Sequence, residues 1–136
     1  MTDYRELIRA AFAAREKAYT PYSGFQVGAA LLAKDGTVYG GCNIENASYG
    51  ATNCAERTAF FRAVFDGKRD FSAIAVVGGK TGGEYVEAWP CGICRQVMME
   101  FCDPEAFRVI LYNGKETETY TLAELLPLGF GPSKLD

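Results

Sequence analysis

Five cysteines, and a glutamate close to one of them, are the residues of this sequence with the clearest chemical potential. The cysteines are Cys42, Cys54, Cys91, Cys94 and Cys102. Their number is odd, and the charged stretch 1–18 resembles neither a signal peptide nor a spanning helix, so metal binding or catalysis is favoured over a disulfide framework. The sequence contains no histidine. Chemistry near pH 7 must therefore use carboxylates, thiolates or a metal.

Three of the cysteines have a spacing that suits zinc. Cys54 precedes Glu56 by two residues, and Cys91 and Cys94 form a Cys-x-x-Cys pair after Pro90. Structural zinc sites close with four protein ligands, whereas catalytic sites use three and leave one position for water. With these three cysteines as ligands that position stays free. The pattern predicts one catalytic zinc ion per chain, with Glu56 beside it.

Two other interpretations of the cysteines stay open at this point. A fourth thiolate from Cys42 or Cys102 would close the site into a purely structural zinc site. Alternatively, the Cys-x-x-Cys pair resembles the redox dithiol found at a helix start in thioredoxin-like proteins, although that gives no role to the third cysteine or to the glutamate. If they are not ligands, Cys42 and Cys102 are expected to be small buried residues, because their surroundings are apolar. A zinc measurement separates these interpretations.

Four segments, in the same order, resemble the small, homotetrameric, zinc-dependent cytidine deaminases. They are 21–30 (PYSGFQVGAA), 42–46 (CNIEN), 54–57 (CAER) and 90–96 (PCGICRQ). A Cys-x-Glu followed by Pro-Cys-x-x-Cys is the signature of zinc deaminases. The resemblance implies hydrolytic deamination of cytidine and 2′-deoxycytidine to uridine and 2′-deoxyuridine plus ammonia, in pyrimidine salvage. Within the same fold, deamination of a modified cytosine nucleoside such as blasticidin S is the alternative.

The resemblance also implies roles around the metal. Glu56 takes a proton from water, passes it to pyrimidine N3 and later protonates the departing ammonia, so a single carboxylate replaces a histidine base. Three thiolates on Zn²⁺ leave a net charge of −1, which weakens the ion as a Lewis acid. Arg57 is implied to donate to a thiolate sulfur and withdraw charge, and we extend the same expectation to Arg95.

The implied substrate contacts come from several parts of the chain. Asn43 and Glu45 match positions that bind the ribose hydroxyls, which also argues against a substrate without a ribose. Phe25 matches a residue near the base, and Ala55 lies between the first ligand and the catalytic carboxylate. Phe130 matches an aromatic residue that stacks on the base in a neighbouring subunit, so the active sites of a homotetramer would be shared.

Each of these assignments has a simpler alternative. Phe25 is also typical of a strand in the core, Asn43 and Glu45 of a solvated loop, and Phe130 of an anchor for the tail. Arg57 and Arg95 are also compatible with an exposed helix face. The chain also departs from the family pattern at 82–89, which is longer and more aromatic than usual and ends in a tryptophan where a small residue is common.

The elements that must position these residues follow from periodicity and from glycine and proline. Helices are predicted at 3–18, 53–65, from Pro90 to before Pro104, and at 122–126; strands are predicted at 25–33, 37–42, 71–77, 107–112 and 116–120, with a glycine-rich loop at 78–83. This order predicts a three-layer α/β/α fold around a mixed five-stranded sheet. The resemblance implies the strand order 2-1-3-4-5, and the last two strands must be antiparallel because the Asn-Gly turn between them is too short for a crossover. Both ligand clusters then fall at helix N-termini, whose dipoles favour thiolates.

Composition limits the class of protein. The 136 residues are 49% hydrophobic and 23% charged, with a net charge of −3 and no basic run. This is typical of one globular domain (1–136), and it argues against polynucleotide and membrane partners. A small-molecule substrate and a cytoplasmic location are expected.

Overall fold

A mixed sheet of six strands lies between two layers of helices in the computed structural model, which describes residues 3–135. The predicted domain bounds, 1–136, include residues outside this range, whereas the helix predicted at 3–18 lies within it and is shorter than predicted. The helices are α1 (Arg5–Arg15), α2 (Ala55–Phe65), α3 (Gly92–Phe101) and α4 (Leu122–Leu125). The strands are β1 (Phe25–Ala33), β2 (Val38–Cys42), β3 (Phe71–Lys80), β4 (Tyr85–Val86), β5 (Arg108–Tyr112) and β6 (Thr117–Thr121).

The five longer strands have the predicted order, β2-β1-β3-β5-β6. Strands β3 and β5 are parallel, and every other pair is antiparallel, including the last pair, β5 and β6. The predicted α/β fold with a mixed sheet is therefore confirmed, and the predicted number of strands is corrected from five to six.

The sixth strand, β4, follows the stretch 78–83 that was predicted to be a glycine-rich loop. Residues 78–80 of that stretch belong instead to β3, which continues to Lys80, and β4 folds back to pair Gly79 with Tyr85. A Cβ atom at Gly79 would lie 2.4 Å from the carbonyl oxygen of Glu84. The hairpin can close this tightly only because the residue is glycine.

The two faces of the sheet carry separate cores, which gives the predicted three layers. One face packs against α1 through Ala30, Ala75 and Val77, whereas the other packs against α2 and α3 through Leu31 and Val76. These residues alternate along β1 and β3, as side chains on a pleated strand must.

Helices α1 and α2 lie directly on the sheet where the strands carry glycine. A Cβ atom at Gly28 of β1 would lie 2.1 Å from the carbonyl oxygen of Ala11, and one at Gly41 of β2 would lie 2.3 Å from that of Ala55. Such distances are far below van der Waals contact, so only glycine permits these approaches. The contact at Gly41 brings the first residue of α2, and with it Cys54, against the sheet.

The helices at the site begin later than predicted. Helix α2 begins at Ala55 with Cys54 as its N-cap, and α3 begins at Gly92 with Cys91 as its N-cap. Pro90 was predicted to occupy the first turn, but it precedes the cap. Both N-cap cysteines have extended backbones, so their side chains lie beside the free N–H groups of the first helical turn. Within residues 3–135, no helix has both the length and the apolar composition needed to cross a membrane.

Candidate active site

Three cysteine sulfurs lie together where the N-termini of α2 and α3 meet. The Sγ atom of Cys91 is 3.8 Å from that of Cys54 and 3.6 Å from that of Cys94, and all three lie within 4.8 Å of one another. Neither Cys42 nor Cys102 belongs to this group. The spacing fits a single ion held by three thiolates, with one position left open. The alternative of a structural zinc site with four cysteines is not supported.

The surroundings of the cluster favour a thiolate at Cys54. Hydrogen bonds from Cys94 and then from Arg57 lower the pKa of the Cys54 thiol to about 5. The Nη2 atom of Arg57 lies 3.2 Å from this sulfur. Among the described residues, the Nε atom of Arg57 is buried and has no hydrogen-bond partner, so the guanidinium is held in place mainly by the sulfur. A donor set of sulfur atoms that is already partly ionised suits zinc.

Arg95 has different partners from those expected. Its Nε atom donates to the carbonyl oxygen of Pro90 at 2.8 Å, and its Nη1 atom donates to that of Leu125. The expectation that Arg95 donates to a cysteine sulfur is therefore wrong in this structure. The side chain instead joins the segment before α3 to the end of α4, because these carbonyls lie within reach and have no helical partner.

Glu56 lies in the first turn of α2 and is almost completely buried, with 4% of its surface exposed. Burial raises the pKa of its carboxyl group to about 7. The carboxyl group can therefore both accept and donate a proton near neutral pH, which is the property that general acid–base catalysis requires.

A cavity of about 420 Å³ joins this glutamate to the cluster. Its wall contains Glu56 together with Cys54 and Cys91. A larger groove, of about 650 Å³, lies between the start of α1 and β6, and none of these residues lines it. A carboxylate that can transfer protons and a metal-binding cluster therefore face the same small space.

Comparisons with known proteins agree with this chemistry. A family profile described as "Cytidine and deoxycytidylate deaminase zinc-binding region" matches residues 1–110. The chain belongs to this family. A cytidine deaminase from Sporosarcina psychrophila is 54% identical over 98% of this chain and 95% of its own length. A crystal structure of cytidine deaminase from Burkholderia pseudomallei is 51% identical with a TM-score of 0.86, covering 95% of this chain and all of that one.

A blasticidin-S deaminase from Bacillus cereus is a more distant relative. It is 35% identical over 76% of both chains. The difference in identity and coverage favours the cytidine deaminases as the appropriate comparison for the substrate.

Of the residues expected to contact the substrate, three line the cavity of this family member and two do not. Phe25, Asn43 and the fully buried Ala55 lie in its wall. Glu45 lies in an adjoining cavity of about 440 Å³, which shares Thr52 with the first. Phe130 is 57% exposed and lines neither cavity.

Asn43 and Glu45 both have hydrogen-bond partners within the chain. The side chain of Asn43 accepts from the backbone N–H of Val27 at 2.9 Å and donates to the carbonyl oxygen of Phe25 at 2.8 Å. Glu45 accepts from the backbone N–H groups of residues 22 and 23 at 3.0 and 3.2 Å, and from the Ser23 hydroxyl. This hydroxyl, together with the N–H groups, lowers the pKa of Glu45. Each side chain keeps unused hydrogen-bonding capacity, since an amide offers two N–H groups and a carboxylate about four acceptor positions.

Part of the cavity wall lies outside the residues that the sequence motifs assigned to the site. Val27, Thr52, Glu87 and Ala88 line it, and so does Trp89, which was noted only as a departure from the family pattern. The half-exposed Trp89 ring lies 5.5 Å from that of Tyr120. Its position two residues before Cys91 is the signal that could have identified it, because a neighbour of a ligand must lie near the metal.

Proposed function

We propose that the chain is a zinc-dependent cytidine deaminase, which hydrolyses the 4-amino group of cytidine and 2′-deoxycytidine to give uridine or 2′-deoxyuridine and ammonia. One observation carries the proposal: the buried Glu56 lines the same cavity as Cys54 and Cys91. The identity to a cytidine deaminase along nearly the whole chain supports it.

Cys54, Cys91 and Cys94 would hold the zinc ion. When bound, zinc supplies Lewis acidity at its open position, which makes water nucleophilic near neutral pH. Glu56 accepts a proton from the attacking water and delivers it to N3 of the pyrimidine. In the second half of the reaction it takes the proton of the new hydroxyl group at C4 and transfers it to the amino group, so that ammonia leaves as C4 becomes a carbonyl. A carboxyl group with a pKa of about 7 suits both directions of transfer.

Asn43 and Glu45 are proposed to hold the ribose. The cavity around Glu45 adjoins the catalytic one and shares Thr52 with it, so a base and its sugar could occupy the two. The hydrogen bonds that hold both side chains reduce the entropy lost when they order around a hydroxyl group. Phe25 is proposed to contact the base, because it belongs to the cavity wall.

Phe130 is proposed to complete the active site of a neighbouring subunit in a homotetramer. The residue lies outside the cavity of its own chain, and its ring is more than half exposed. Its backbone carbonyl accepts a hydrogen bond from the side chain of Gln96 at 2.8 Å, which holds the tail while leaving the ring free.

The five cysteines form no disulfide, and this agrees with the proposed action in the reducing cytoplasm.

The deciding experiment combines two measurements on one sample. Purified protein is expected to deaminate cytidine, followed by the fall in its ultraviolet absorbance, and to contain one zinc ion per chain. Glu56→Gln should keep the zinc and lose activity by roughly 10²–10⁴-fold, because an amide of the same shape cannot transfer the proton. Cys54→Ala should lose both the activity and the zinc. Blasticidin S serves as the comparison substrate.

Three results would contradict the proposal. These are a Glu56→Gln variant with activity within a few-fold of the unmodified protein, full zinc content after Cys54→Ala, and faster turnover of blasticidin S than of cytidine.

A further inference from the structure

Arg15 is a buried charge that the proposed reaction does not use. Within residues 3–135, the buried charged side chains are Glu56 in the cavity and Arg15 at the end of α1. A buried guanidinium is unfavourable unless its N–H groups are satisfied. The nearest carboxylate, that of the largely exposed Glu16, lies 3.9 Å away. The surroundings of Arg15 therefore need an explanation beyond ion pairing.

The partners of this guanidinium are backbone carbonyls and one aromatic ring. Its Nε atom donates to the carbonyl oxygen of Gln26 at 3.1 Å. Its Nη2 atom donates to those of Gly79 and Lys80 at 2.8 and 3.2 Å. Its central carbon lies 4.8 Å from the centre of the Tyr85 ring, within the range of a cation–π contact. One side chain thus connects the start of β1, the end of β3 and β4.

The connection to Gln26 leads to one wall of the cavity. Gln26 stands between Phe25 and Val27, and both neighbours line the cavity. Because side chains alternate along a strand, fixing the carbonyl of Gln26 fixes the strand from which these two side chains project.

The other connections lead to a second wall that adjoins the first, since a Cβ atom at Gly78 would lie 2.8 Å from the side chain of Ala88 and 3.2 Å from that of Phe25. Gly79 pairs with Tyr85, and β4 continues into 87–89, which lines the cavity beside the metal-binding cysteines. Tyr85 is also enclosed by aromatic rings, with Phe12 of α1 at 5.0 Å and Tyr112 of β5 at 5.9 Å between ring centres. The base of this wall is therefore held at α1 by both Arg15 and Phe12.

We propose that Arg15 is a positioning residue, which holds these two adjoining walls of the active-site cavity in place relative to each other from the other face of the sheet. The inference rests on the proposed function, because that cavity is the one assigned to the substrate. The rigid planar fork of the guanidinium suits this role, since it reaches three carbonyls at once with fixed geometry. Its loss leaves the cysteines and Glu56 in place and loosens the walls that hold the substrate.

The sequence supplies a probe for this inference, because Trp89 is the only tryptophan and lies in the second wall. Arg15→Met keeps an unbranched apolar stem and removes the guanidinium with its hydrogen bonds. Time-resolved anisotropy of Trp89 fluorescence, excited where tyrosine does not absorb, reports motion of this wall without any substrate. In Arg15→Met, the amplitude of the fast local component should rise by roughly twofold. Arg9→Met is the matched control: Arg9 is exposed on the same helix and pairs with Glu6, so the anisotropy should stay unchanged.

The kinetic arm uses zinc-loaded protein well below its melting temperature. Arg15→Met should raise KM for cytidine by about tenfold while kcat stays within about twofold, because the loss falls on substrate binding and not on proton transfer. A merely structural role would lower the melting temperature without moving KM or the Trp89 signal. If Arg15→Met does not fold, Arg15→Lys replaces it, since lysine keeps the charge but not the planar fork, and the same rise in local motion is expected.

Unchanged Trp89 anisotropy in the folded variant overturns the inference, and so does an equal change in Arg9→Met. Unmodified protein that fails to deaminate cytidine would instead contradict the proposed function, and the fluorescence result would still decide the role of Arg15.

Discussion

Removal of the Arg57 guanidinium should weaken zinc binding in a manner that depends on pH. The pKa of Cys54 is lowered from 9.0 to about 5 by hydrogen bonds from Cys94 and then Arg57. At pH 7 the sulfur is therefore a ready ligand. A thiol whose pKa had returned fully to 9.0 would have to release its proton at a cost of about 2.7 kcal/mol, or roughly 100-fold in affinity. Because Arg57 accounts for only part of the shift, Arg57→Met should bind zinc roughly 10–100-fold more weakly at pH 7.

The sign of the pH dependence follows from the same groups. In the Arg57→Met variant, raising the pH from 7 to 9 ionises the Cys54 thiol even though the guanidinium is absent. The difference in zinc affinity between the variant and the unmodified protein should therefore shrink. Competition with a chromophoric zinc chelator at both pH values measures this. Arg95→Met is the control, because Arg95 also lies beside the cluster but donates to the carbonyls of Pro90 and Leu125. Its effect on zinc affinity should be equal at the two pH values.

Two results would refute this reasoning. One is an Arg57→Met variant with the zinc affinity of the unmodified protein at pH 7. The other is a loss of affinity that is the same at pH 9 as at pH 7, which would point to damaged packing and not to ionisation of the sulfur.

Three further predictions concern the substrate and the fold. Glu45→Gln should lower kcat/KM for cytidine by roughly 10–150-fold, from the loss of a charged hydrogen bond, while sparing weak activity on free cytosine; an unchanged ratio of the two activities would remove Glu45 from the ribose site. Mixed oligomers of inactive Glu56→Gln and Phe130→Ala chains should regain activity above the sum of the parents, provided that Phe130→Ala alone is impaired; a fully active monomer in sedimentation would exclude a shared site. Gly28→Ala should lower the free energy of unfolding, measured by urea denaturation, by about 3 kcal/mol, because the new methyl group meets the backbone of α1. Gly50→Ala, whose methyl group meets open space, should be close to neutral, and equal effects of the two substitutions would contradict the packing argument.

The chemistry was accessible from the sequence because it is encoded in short segments. The cysteine ligands and Glu56 fall within two stretches, 54–56 and 91–94, each next to a helix start. Local patterns of this kind depend on few neighbours, so they predict both the metal site and the helix N-termini that support it. Helix boundaries depend on capping geometry, which a local sequence pattern does not contain. The end of α1 and the first turn of α3 were therefore misplaced by a few residues.

The errors arose where distant parts of the chain meet. Arg95 was expected to donate to a cysteine sulfur only one or four positions away, but its Nη1 atom donates to the carbonyl oxygen of Leu125, 30 residues further on. The glycines at 78 and 79 were interpreted as a loop, whereas they allow β4 to pair closely with β3. In each case, the residues that form the observed contact lie outside the segment from which the prediction was made.

Residue types and spacing therefore identified the candidate metal ligands, the proposed acid–base residue and the family of this protein, because those depend on chemical identity at neighbouring positions. Only the tertiary structure decided which cysteines stay outside the cluster, which side chains enclose the cavity and how deeply Glu56 is buried. It also decided that Arg15 reaches the carbonyl of Gly79 across 64 residues of sequence. Burial and hydrogen bonding of this kind arise when packed elements displace water, and no local segment contains that information.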